Sequence, residues 1–204
     1  MKRIIIVSIW GPKGGQGKSM IAINLAAAAV EIGLKPLVIC QDPQGTSTLY
    51  YNGGNLPFEV VQQVPDQRPD ADIVIFDHMA SDWDVPEDAH ILIMPVKPPR
   101  DQYASYKDAK KRAERAGKAV ITVVTDCNHQ RPDETASRDY LVGEGAHEVP
   151  ASGVFSRAAS EYRTIFDPAL DKAYKVKHRR REFSALLGAV MLVQNPEERQ
   201  SNAA

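Results

Sequence analysis

The stretch from Ile9 to Met20, IWGPKGGQGKSM, restricts this chain more than any other part of it. Gly14, Gly15 and Gly17 crowd together and are followed at once by Lys18 and Ser19. Closely spaced glycines let a backbone curl until successive N–H groups point inward, which makes a nest for phosphate oxygens. An apolar run at 3–9 precedes this turn, and a helical pattern at 18–32, closed by Gly33, follows it. The loop therefore lies between a strand and a helix, with the positive end of the helix dipole aimed at the same point. The segment fits K-G-G-x-G-K-S from Lys13 to Ser19, and misses the stricter G-x-x-x-x-G-K-[ST] pattern only because Pro12 holds the place of its first glycine. Candidate nucleotide contacts run from Lys13 through Gln16 to Met20. Lys18 is placed to neutralise the β and γ phosphates of ATP, and the Ser19 hydroxyl to ligate Mg²⁺.

The remaining chain alternates short apolar runs with helical stretches. Runs rich in Val and Ile at 36–40, 72–77, 90–95 and 119–124, with a weaker one at 58–64, read as parallel strands buried on both faces. Helical patterns cover 101–116, closed by Gly117, and 158–192, broken near Pro168. Strands separated by helices imply right-handed βαβ units. The expected fold is α/β: a single-domain P-loop NTPase with a doubly wound, mostly parallel sheet flanked by helices, over 1–193. The polar stretch 194–204 is expected to be a frayed tail. Ligands of such sheets sit at the carboxyl ends of strands, where the polar segments 43–57 and 126–139 fall. At 204 residues the chain has room for one core, and 25 basic against 26 acidic side chains make it neither a general polyanion binder nor a disordered acidic chain. Cys40 and Cys127, far apart and outside any CxxC spacing, argue against zinc and disulfides. No run reaches the eighteen or so apolar residues of a membrane span, and the expected location is the cytosol.

The strand DIVIFD ends in Asp77, where a Walker B carboxylate would hold the metal's water shell. KGGQGKS, DPQG at 42–45, DIVIFD and AHILIMPVKPP at 89–99 together resemble the deviant Walker family of ParA and MinD ATPases, in that order and at similar spacing. The resemblance covers residues 2 to about 190, and that family is defined by the lysine matching Lys13 and not by the usual first glycine.

Membership would imply a homodimer sandwiching two ATP molecules, with Lys13 reaching to the phosphates of the other subunit, where a cation is needed between facing triphosphates. It would also place Asp42 at Mg²⁺ and couple the γ-phosphate to residues 43–50 as a switch. Lys13, Lys18, Asp42 and Gln44 are then the catalytic candidates; Ser19, Asp42 and Asp77 are the metal candidates. Adenine contacts are implied near Asp126 and Asn128 and near Val154 and Phe155. The family usually reads D-x-D-P-Q, with the first Asp helping to position water, whereas this chain has Cys40-Gln41-Asp42. A thiol replaces a carboxylate poorly in that task, so slow hydrolysis is expected, with Gln41 or Gln44 as the other groups able to orient water and Cys40 read as buried and inert. His78 follows Asp77 where the family has a different residue, and is read as structural or as a contact to a switch element.

The run KAYKVKHRRR supplies Lys172, Lys175, Lys177, Arg179, Arg180 and Arg181 as candidates for sequence-tolerant contact with the DNA backbone, as in ParA-type relatives. A second stripe, Lys107, Lys111 and Arg115, recurs on helix 101–116. FSALLGAVMLV at 183–193 is apolar almost all round, which fits core packing and not the membrane helix of MinD-type relatives. With its start directly at the first strand, the chain resembles short plasmid partition ATPases. The expected partners are a second copy, double-stranded DNA and an adaptor or centromere-binding protein, with no membrane. The ATP-bound form is expected on the nucleoid. The alternative is an ATP-locked tether, or a module positioning conjugative plasmid DNA, without useful turnover.

Overall fold

The computed structural model describes residues 3–42, 45–80, 82–98 and 100–193, with nothing said of the side chains of 100–102. Strands β1 (Ile5–Ile9), β2 (Pro36–Cys40), β3 (Glu59–Val61), β4 (Ile73–Asp77), β5 (Ile91–Val96), β6 (Ala119–Thr125) and β7 (His147–Val149) form one parallel sheet in the order β3-β2-β4-β1-β5-β6-β7. Every residue of β2, β4 and β5 is buried, as a parallel sheet covered on both faces requires.

From β1 the chain winds first to one side, through α1 (Lys18–Glu31), β2 and α2 (Thr46–Asn52) to β3, and then reverses through β4, β5 and β6 to β7. Right-handed crossovers put connections in opposite directions on opposite faces. Helix α1 thus packs on one face and α3 (Arg100–Arg115) and α4 (Pro132–Gly143) on the other, while α5 (Gly153–Ser160) and α6 (Val176–Leu192) return to the α1 face. Strand β1 lies between β4 and β5 at the point of reversal, so the crevice above its carboxyl end is the natural ligand position.

Helix α1 reads KSMIAINLAAAAVE, and its alanines let it sit close against the sheet and α6 while keeping high helix propensity. It ends in a Schellman motif at Gly33 (φ 79°), whose N–H donates to Val30 while the Leu34 N–H donates to Ala29. Gly117 ends α3 in the same way.

The structure departs from the sequence expectation in the short elements. Helix α2 lies within the expected loop 43–57, α4 begins within the expected loop 126–139 and runs on to Gly143, and β7 was not anticipated. The expected helical stretch 158–192 is only the last turn of α5, a 3₁₀ turn at Pro168–Leu170, and α6. Residues 194–204 lie outside the described residues. Cys40 and Cys127 are both buried and unbridged, and no group of His, Cys, Asp or Glu suited to a metal cage occurs among the described residues. Among these residues no helix is long and apolar enough to cross a membrane.

Candidate functional site

The loop after β1 has the conformation its glycines permit. Gly15 (φ 69°) and Gly17 (φ 87°) both lie in the left-handed region, and Gly17 caps α1. Gln16 is buried and clasps the loop to two strand ends: its side-chain oxygen accepts from the Lys97 N–H at 2.7 Å, and its carbonyl accepts from the Thr125 hydroxyl at 3.1 Å. Lys18, the first residue of α1, folds back under the loop, donating to the carbonyls of Gly11 at 3.3 Å and Lys13 at 3.1 Å. Burial lowers the Lys18 pKa below the usual lysine value, against the fields of Asp77, Asp42 and Asp82. The ammonium is thus held, partly desolvated, at the floor of the loop.

A buried carboxylate lies beside it. Asp77 ends β4 fully buried and accepts from the Ser47 hydroxyl at 2.6 Å through one carboxylate oxygen. Its other oxygen has no partner among the described residues. Burial pushes the Asp77 pKa above the usual carboxylate range, although hydrogen bonds from Ser47 and Ser19 and the Lys18 charge pull it down; Asp42 adds to the rise. An orphaned buried carboxylate oxygen flanked by the Ser19 hydroxyl and a second carboxylate is a donor set suited to Mg²⁺, a hard cation that takes oxygen ligands and keeps several waters. Ser19, Asp42 and Asp77 therefore fit the metal role.

Ser47 was not singled out in the sequence, because one serine in a polar segment gives no signal until α2 is known to carry it over Asp77. Ser47→Ala removes the donor from a buried carboxylate and should destabilise the apo protein by about 1–3 kcal/mol, read from the denaturant midpoint.

Residues 7–177 match the sequence profile described as the CobQ/CobB/MinD/ParA nucleotide-binding domain. The chain belongs to this family. No curated protein matches it in sequence. Among solved structures, MinD of Pyrococcus horikoshii OT3 complexed with Mg-ADP superposes with a TM-score of 0.70 at 14% identity, covering 95% of this chain and 100% of that one. A Borrelia burgdorferi B31 plasmid partition protein bound to AMPPNP gives 0.70 at 16%, covering 92% and 100%. A Cyanothece McdA–ATP complex gives 0.68 at 12%, covering 96% and 99%. At these identities the likeness is one of fold.

Within this family domain the other candidate residues divide. Phe155 and Asp126 line a cavity of about 250 Å³ together with Gly15, Gln16, Met20 and Lys97, and Lys97 pairs with Asp126 at 2.8 Å. Val154 does not line it: α5 begins at Gly153 and turns Val154 into the core, where it is 4% exposed. Asn128 is not among the lining residues either; its side-chain oxygen accepts from the Gln130 N–H. Lys97 and Thr125, like Ser47, stand at this end of the sheet without a signal in the sequence.

Cys40 ends β2, pairs in register with Asp77, and is buried with its thiol 3.8 Å from the Asp42 carbonyl. Lys13 is half-buried at the loop. Gln44 lies outside the described residues. His78 is buried with its ring nitrogens 3.7 Å from Asp82 and Asp88, so it bridges the end of β4 to the connection that follows.

The basic run needs correction. Arg179 is buried, donating to the Pro150 carbonyl and pairing with Glu182 at 3.0 Å. Arg180 donates to the Ile165 and Asp167 carbonyls and pairs with Asp171 at 2.7 Å. Both are tied to the fold on the inner side of α6, leaving Lys172, Lys175, Lys177 and Arg181 exposed around an exposed Tyr174.

Proposed function

We propose that the chain is an ATP-driven switch of the ParA type: it binds Mg·ATP at the loop 11–19, dimerises across the nucleotide with Lys13 reaching to the partner's phosphates, and in that state binds duplex DNA without sequence preference. Its role is plasmid partition, DNA segregation or cargo positioning with an adaptor protein. The observation that carries the reading is the pair of buried groups at the head of the sheet, Lys18 folded under the glycine loop and Asp77 with one carboxylate oxygen unpartnered among the described residues. Bound Mg²⁺ would supply charge for phosphate oxygens, held by Ser19, Asp42 and Asp77. Lys18 and the loop N–H groups orient the triphosphate, and the cavity at Phe155 and Asp126 takes the base. The Borrelia and Cyanothece structures, one of a plasmid partition protein with AMPPNP and one of McdA with ATP, support ATP as the ligand.

Arbitrary duplex DNA is expected to bind with Mg·ATP and not with ADP or without nucleotide, measured by anisotropy at moderate salt; binding in no state would remove DNA from the reading. The exposed cations set a second expectation. Changing Lys172, Lys175, Lys177 and Arg181 to alanine should weaken DNA binding at least about tenfold and flatten its salt dependence, since each lost phosphate contact reduces the number of counterions released. Unchanged binding would remove the run from the DNA face.

Cys40 favours a second reading, in which the ATP dimer is a long-lived tether. The buried thiol, 2% exposed, stands where a carboxylate would take a proton from water, and it does that work poorly.

A further inference from the structure

The reversal of winding puts two successive connections, 62–72 between β3 and β4 and 78–90 between β4 and β5, on the face opposite α1, and neither contains a helix among the described residues. Helices α3 and α4 pack chiefly over the β5–β6 part of that face. Over β1, β2 and β4 the buried residues Leu37, Ile39, Val74 and Phe76 form a small cluster of their own that contains no helix residue. Above them is a cavity of about 590 Å³, floored by Ile4, Ile6, Ile39, Val74 and Phe76 and roofed by the segment 64–69. Ile6 stays 40% exposed and Val64 59% exposed at its edge, where a doubly wound sheet ordinarily has helical cover.

The shape and charge of the space select what fits. Pro65 and Pro69 stiffen a roof that already spans the floor, so a helix some 10 Å across cannot lie on the strands without displacing it. The volume is that of a small-molecule site, roughly 300–1,000 Å³ in most proteins, with an apolar body and few polar groups. Among the described residues those polar groups are Arg3, Gln67 and Arg68, with the carboxylate of Asp66. Both arginines also interact within the chain. Two guanidiniums, each with five N–H donors and so with capacity beyond a single partner, thus stand beside an apolar floor.

We propose that this cavity binds a small apolar organic anion, its hydrocarbon part against Ile6, Val74 and Phe76 and its acid group between Arg3 and Arg68. It shares no lining residue with the loop 11–19 or the cavity at Phe155, so it is a second site, independent of the nucleotide reading.

Calorimetric titration of the full chain with decanoate, decanol and decylamine tests it. Decanoate should bind saturably at one molecule per chain, at least tenfold more tightly than decanol and more tightly still than decylamine. Ile6→Trp, which fills the cavity from a half-exposed position, should abolish binding, and Arg68→Glu on the exposed roof should weaken decanoate tenfold or more while sparing decanol. Both variants should keep wild-type binding of an ATP analogue, which certifies their fold. Equal binding of the three probes, or decanoate binding indifferent to Ile6→Trp, overturns the proposal. So does an absence of saturable binding; if the chain then self-associates and Ile6→Trp abolishes this, the face belongs to a second copy.

Discussion

Lys18→Met should reduce affinity for Mg·ATP by about 10²–10³-fold while leaving the apo protein as stable as wild type or slightly more so. The two halves of this expectation have separate causes. Lys18 is desolvated and held by two loop carbonyls, with its charge only partly compensated by Asp77, Asp42 and Asp82. Replacing it with an apolar side chain of similar length relieves that burial in the apo state at the cost of a cation near Asp77, two effects of opposite sign. With triphosphate present nothing opposes the loss: a buried cation facing phosphate has gone, and truncating one member of such a pair typically costs about 2–5 kcal/mol. Titration with a fluorescent ATP analogue and thermal denaturation without nucleotide read the two halves independently. Retained ATP affinity would show that the loop alone supplies the phosphate site and would remove Lys18 from it.

The parts of this site that could be read from sequence are those in which composition dictates backbone shape. Glycines at 14, 15 and 17 between a strand and a helix leave few conformations, and the structure has the loop, the positive φ values and the helix start at Lys18. Asp77 was legible because it closes an apolar run. Side-chain orientation within short helices was harder. Placing Val154 and Phe155 together as base contacts ignored the rotation of about 100° between adjacent helical residues, which sends one to the core and the other to the cavity. The same period explains the basic run. Buried Val176, Phe183, Leu187 and Val190 mark the inner face of α6, and Arg179 falls on that stripe, three residues after Val176 and four before Phe183. The information was present in the sequence, but charge was counted where spacing decided. Helix α2, α4 and strand β7 lacked the long apolar period that makes an element legible, and Ser47 and Lys97 gain meaning only when these elements and the sheet order are known.

Cys40→Asp should raise steady-state ATP hydrolysis by about 10²–10⁴-fold, the range that a positioned general base contributes. Cys40 and Asp77 are register partners on neighbouring parallel strands, so their side chains leave the sheet on the same face, toward the amino end of α1 where Ser19 and Lys18 stand. A carboxylate at 40 therefore points to the region where the γ-phosphate and its attacking water belong. It also joins Asp77, already destabilised by burial and by Asp42, in a place that is 2% exposed. The apo variant should consequently lose stability, by about 1–3 kcal/mol for an uncompensated buried polar group, and regain it with Mg·ATP, because a ligand that binds only the folded state stabilises by mass action. The pattern to measure is a lower Tm without ligand, recovery with Mg·ATP, and faster phosphate release. Cys40→Ser, which adds no carboxylate, separates chemistry from size and should stay as slow as wild type. If wild type already turns over at the rate of the Asp variant, water is positioned by another group, and the long-lived ATP tether loses the feature on which it rests.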